Sequence, residues 1–165
     1  MRNKQPPEPA RSGQISGHGL RLRGEDAEDL AVISACLQDA LVSLRDLAYD
    51  RAARTFLFVA NRFRWEGGAP YERTLCGVAF DEIDGVAYRG FHRGEEDRIL
   101  ALLAIQPIPP NSGQPAGEIG VTIDLEFAGG ATIRLSAAKI QCRARDLGEP
   151  WPTVWHPEHS LDPPP

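Results

Sequence analysis

Two arginines and three aromatic rings fall within nine residues, FVANRFRWE at 58 to 66, and here the side chains could do chemistry. Guanidinium planes and rings on one surface would stack bases or clamp an anion. Alternation along an extended strand separates them, however. Leu57, Val59, Asn61, Phe63 and Trp65 share one face, and Phe58, Ala60, Arg62, Arg64 and Glu66 the other. With Phe63 and Trp65 turned into the core, Arg62 and Arg64 point outward as a cationic pair. Asn61 becomes a polar side chain on an apolar face, either in a structural hydrogen-bond network or on the wall of a pocket.

Other polar groups have weaker claims. Gln38 and Asp39 end the stretch LQDAL beside an apolar helical stripe, within reach of a neighbouring strand, and Asp146 in RDLG stands at the end of the sheet. Each serves equally as a cap or a salt bridge. HPEH at 156 to 159 has metal-like spacing but lies in a proline-rich tail, where a pair of histidines lacks the three or four rigid ligands that zinc needs. DEIDG at 81 to 85 reads as acidic turn chemistry rather than a calcium loop. The patterns GxGxxG, GxxxxGK[ST], GxSxG and HExxH are missing, which removes the common cofactor and hydrolase readings.

The totals narrow the class. One domain fits 165 residues, and 42% hydrophobic with 25% charged residues is the balance of a globular chain. A net charge of -5 disfavours nonspecific binding to nucleic acid or anionic membrane, both of which need a broad positive field. Lys4 and Lys139 are the only lysines among 18 basic residues, a bias that GC-rich coding would also produce. Cys36, Cys76 and Cys142 are scattered and odd in number, as expected of small buried side chains in a reducing cytosol. No apolar segment approaches the roughly 20 residues of a membrane span, and the N-terminus has no apolar leader core.

Prolines cluster in the first ten residues and from Pro150 on, so residues 1–19 and 150–165 are expected to be tails on a single α+β domain at 20–149. Within it, LRLR reads as a short strand. A helix over 26–40 follows, capped by Asp26, with Leu30, Ile33, Leu37, Ala40 and Leu41 in one apolar stripe. Alternating segments continue at 41–49, 54–66, 73–83, 86–91 and 99–108, with Asp84-Gly85 as a turn signal and 107–118 as a proline-glycine loop. In GVTIDLEFAGGATIRLSA a two-residue loop would set Leu125 against Arg134. A three-residue loop, Ala128 to Gly130, instead opposes Leu125 with Ile133 and Asp124 with Arg134. KIQCRARDLG fits a strand offset by a bulge near Ala138, or a helix ended by Gly148. The expected architecture is one N-terminal amphipathic helix on a strongly curled, mainly antiparallel sheet or half-barrel of seven to eight strands.

LAVISACLQDAL, DLAY, FVANRFRWE, LLAI and RARDLG, in this order across residues 20 to 155, resemble the DUF2948 family of short alphaproteobacterial proteins of unknown function. The resemblance implies a small cytoplasmic bacterial protein and carries over no activity, ligand or active-site residue. Cys36 stands where that family's pattern has histidine in many members, so no role transfers to it. The functional expectation is a noncatalytic cytoplasmic binding or protein-interaction module. It would use the Arg62 and Arg64 face or the groove between helix and sheet, with a protein or small anionic ligand as partner. No cofactor, metal, nucleic acid or membrane enters this reading. The alternative is a small-molecule enzyme or ligand sensor whose pocket gathers Asp39, Asn61 and Arg62 near the helix end.

Overall fold

The computed structural model describes residues 19–110 and 120–157. The expected N-terminal tail lies outside the described residues except for Gly19, as do most of the loop at 107–118 and everything from residue 158 on.

The chain opens with a short strand, β1 (Arg21–Gly24), before its helix, α1 (Ala27–Cys36). Asp26 caps α1, its side chain accepting the Asp29 N–H at 2.8 Å, and Glu28 and Asp29 sit in the first turn where the helix dipole favours them. Leu30, Ile33 and Leu37 are fully enclosed, each contributing about 1.5–3 kcal/mol of apolar burial. The helix stops short of residue 40 because Asp39 takes a left-handed conformation (φ 61°) and gives its N–H to the Leu102 carbonyl at 2.8 Å. That bond turns the chain into the sheet.

Eight further strands follow: β2 (Leu41–Asp50), β3 (Thr55–Phe63), β4 (Glu72–Phe80), β5 (Ile83–Arg89), β6 (Ile99–Ile108), β7 (Val121–Phe127), β8 (Thr132–Ala137) and β9 (Cys142–Pro152). They pair antiparallel in the order β1-β9-β4-β3-β2-β6-β7-β8-β5. The α+β class holds, with two corrections. The sheet has nine strands among the described residues, not seven or eight, and the helix follows a strand rather than opening the domain. The sheet does not close, but it does curl. Tyr49 Oη donates to the Ile83 carbonyl at 3.0 Å, and the Ile83 N–H donates to the Arg54 carbonyl at 2.9 Å, so the start of edge strand β5 returns to the β2–β3 turn.

The β7–β8 hairpin has the expected register, with Leu125 opposite Ile133 and Asp124 opposite Arg134. A single 3-10 turn at Ala128–Gly130 joins the strands, with Gly129 and Gly130 at φ of 78° and 82°. Arg134 grips Asp124 in a fork, both bonds 2.7 Å. Asp84-Gly85 makes no turn: the chain reverses at Asp81 and Glu82, where Glu82 has φ 59°, and Gly85 sits at a register shift inside β5. The ambiguous 139–147 segment is strand from Cys142 on. No bulge at Ala138 continues β8; a short connection carries the chain to β9, which slots between β4 and β1. β9 runs to Pro152, past the expected domain end at 149.

Candidate functional site

The two faces of β3 carry different chemistry, and their assignment reverses the expected one. Phe56, Phe58, Ala60 and Arg62 point into the core, while Leu57, Val59 and Asn61 face out. Arg62 is therefore not exposed; its accessibility is 0%. Its Nε and Nη2 donate to the two oxygens of Asp146 at 2.7 Å each. Nη1 and Nη2 donate to Glu66 at 3.0 and 2.6 Å, and Nη1 also reaches the Phe63 carbonyl at 3.4 Å. All five guanidinium hydrogens are used. Burial alone would lower the Arg62 pKa, but the bonds to Asp146 and Glu66 outweigh it and the cation is held more firmly than usual. Asp146 is committed as well, accepting the Leu20 N–H at 2.8 Å. The cluster ties β3 and β9 to the chain ahead of β1. Every guanidinium hydrogen of Arg62 is engaged within the cluster, and a cavity of about 160 Å³ lined by Arg64, Thr74, Asp146 and Gly148 lies beside it.

The other expected residues divide between places. Arg64 leaves the strand alternation, pairs with Glu72 and lies 3.7 Å from Glu66, so it is not a free outward cation. The Gln38 carbonyl accepts the Trp65 indole N–H at 3.2 Å. Asn61 holds buried Arg73, its carbonyl and Oδ1 accepting Nη1 at 3.0 and 3.1 Å. Asp39 supports the same cation electrostatically. The structure thus joins Arg62 to Asp146, and Asn61 to Arg73 near Asp39. Asn61 and Arg62 stay on opposite sides of β3, so no single pocket gathers Asp39, Asn61 and Arg62.

Arg73 is the opposite of Arg62. It is 5% exposed, yet its Nη2 has no hydrogen-bond partner, and burial lowers its pKa with the charge of Asp39 opposing. Trp155 covers the guanidinium at 5.2 Å from its ring centroid. His156 belongs to this corner rather than to a solvated tail, packing at 5.0 Å from Phe63 and 4.6 Å from Tyr71 between ring centroids. An unsatisfied buried N–H costs about 1–3 kcal/mol, comparable to the two bonds Arg73 makes to half-exposed Asn61. Arg73→Met is accordingly expected to change stability by less than about 1 kcal/mol in urea unfolding. A loss above about 2 kcal/mol would show that Nη2 is satisfied.

Outside the core, β1, β9, β4 and β3 present one continuous face. Its rows follow from register: Arg23, Arg143, Ala79 and Leu57; Arg21, Arg145, Gly77 and Val59; Leu147, Leu75 and Asn61; Trp151, Arg73 and Phe63. No carboxylate occupies any of these positions. Leu57, Leu75 and Leu147 are 40, 41 and 42% exposed on three adjacent strands. Gly77 leaves room for Leu147 to lie across the face, where a β-carbon would sit 3.4 Å from its Cδ1. Arg21 and Arg145 have no ion-pair partner among the described residues, Arg23 is 3.8 Å from Glu25, and Arg143 holds Asp81 at 3.0 and 3.1 Å. These four arginines line an open groove of about 530 Å³. The sequence reading missed them, although the matching alternations RLR at 21–23 and RAR at 143–145 carry the signal.

Cys76 and Cys142 are enclosed, and burial pushes both thiols up to about 12, so neither is a nucleophile near neutral pH. Among the described residues no three histidine, cysteine, aspartate or glutamate side chains converge as a metal site would require, and no helix is long and apolar enough to cross a membrane. None of the curated proteins and none of the solved structures compared with the chain matches it. The model of a protein family of unknown function, DUF2948, matches residues 20–159, and the chain belongs to that family.

Proposed function

We propose that this protein is a noncatalytic protein-interaction module that docks a partner protein on the outer face of β1, β9, β4 and β3. The observation that carries this reading is the side-by-side exposure of Leu57, Leu75 and Leu147 on three strands of one sheet. Contiguous exposed apolar surface of this kind is costly in water and is retained where it is covered in a complex. The helix does not cover it, since α1 packs on β6 and β1. A second copy of the chain is a poor occupant. Asp81 answers Arg143 and Glu25 lies beside Arg23, but Arg21 and Arg145 have no ion-pair partner among the described residues, so two copies stacked through this face would bury those cations without counter-charges.

A photo-crosslinking residue placed at Leu75 tests this in cells. Attachment to one partner protein is expected there and not from Arg45, which lies exposed outside this face. Equal labelling from both positions, or attachment of the chain to itself, would overturn the reading.

A further inference from the structure

Arg21 lies directly opposite Arg145, and Arg23 directly opposite Arg143, on the face of β1 and β9 that points away from the core. Directly opposite side chains stand about 4.5–5.5 Å apart at their β-carbons, where like charges repel. This chain nevertheless places four cations in such a square while its net charge is -5. Of the four, Arg21 and Arg145 have no ion-pair partner among the described residues. Arg21 opposite Arg145 is therefore a repulsive pair in the free protein, relieved when an anion enters beside them.

Along a strand, residues two apart are about 6.6–6.8 Å apart and point to the same side. The outward positions of β9 run Arg143, Arg145, Leu147, two cations followed by an exposed leucine. A partner segment lying extended along β9 would meet them with two carboxylates at alternate positions and an apolar side chain two residues further. Each carboxylate would sit between two guanidinium groups, one from β1 and one from β9, a geometry suited to forked hydrogen bonds. Asp81 already shows the bond that Arg143 makes, a two-pronged grip on one carboxylate.

We infer that the arginine square recognises an extended acidic segment of a partner protein with the pattern acid-x-acid-x-apolar. This rests on the docking reading above and names the chemistry of its partner. Nucleic acid is the competing polyanion. It is disfavoured because its binding draws on a positive field over a long surface, whereas this square is small and set on an acidic protein.

The probe is a fluorescein-labelled peptide containing Glu-Ser-Glu-Ser-Leu, titrated by anisotropy with the full chain at low salt. Binding is expected to weaken about tenfold for the rearranged peptide Glu-Glu-Ser-Ser-Leu, and at least as much for the variant Arg21→Glu/Arg145→Glu. The single variant Arg145→Glu replaces a repulsive cross-strand pair by an attractive one, so its thermal midpoint is expected to hold or rise while peptide binding falls. Equal affinity for the two peptides overturns the spacing. Tighter binding of oligothymidylate or of phosphatidylserine vesicles than of the peptide overturns the partner class. If the Leu75 crosslink persists in Arg21→Glu/Arg145→Glu, the acidic-segment inference fails while the docking face stands; loss of specific crosslinking in the unaltered protein removes both.

Discussion

Arg62→Met is expected to destabilise the protein by about 3–5 kcal/mol, with the urea midpoint shifted and the denaturant slope unchanged. Methionine has nearly the right length and flexibility for the space, so the loss would not be one of packing. It comes from Asp146, whose side chain is only 4% exposed and whose two oxygens lose Nε and Nη2, keeping one bond to the Leu20 N–H. A buried carboxylate left with a single neutral donor is far less stable than one in water. Glu66 matters less, because it is half-exposed and can turn to solvent. Removing both charges, as in Arg62→Met/Asp146→Leu, should recover most of the loss, since a buried pair replaced by apolar groups is often neutral. A double variant as unstable as the single one would mean that Arg62 acts by shape.

The same cluster fixes a pH dependence. The hydrogen bond from Arg62 holds the Glu66 carboxyl below the usual glutamate range, with burial opposing and the charges of Arg62 and Arg64 assisting. A group whose pKa is lower folded than unfolded binds its proton more readily in the unfolded chain. Its contribution is therefore complete above the ordinary glutamate pKa and is lost as pH falls through the depressed value. Arg62→Met should remove this part of the acid sensitivity.

What could be read from sequence depended on whether the deciding contact was local. The α1 stripe and its Asp26 cap lie within a few residues, and the β7–β8 hairpin is fixed by two alternating patterns and the loop between them, so each was legible. Asp84-Gly85 is a sound local turn signal. It yielded to a reversal two residues earlier, where Glu82 accepts the strained conformation and its carbonyl takes the Ala138 N–H. Arg62 was misplaced because one of its acidic partners is 84 residues away in sequence, and nothing nearby shows that a guanidinium can be buried there. The arginine square is hidden for the same reason. RLR and RAR are each unremarkable, and only the pairing of β1 with β9 makes them a site.

β3 allows the sharpest test of these assignments, because alternation separates its residues into two sets without saying which is inside. Both sets are rich in apolar side chains. Phe63 and Trp65 suggested one answer, yet Phe63 is buried on the outer side by Trp65, Tyr71 and His156, a local cluster that terminates the strand. The observed facing predicts that Phe58→Ala costs about 3–5 kcal/mol, because Phe58 is enclosed beside Phe56 at 6.1 Å between ring centroids and its removal leaves a cavity. Leu57→Ala, one residue earlier and 40% exposed, should cost less than about 1 kcal/mol in the same unfolding series. The opposite orientation of β3 would exchange the two values. It would also turn Arg62 out to solvent, where Arg62→Met would cost almost nothing, so the three measurements together decide which face of the strand builds the core and which is left for a partner.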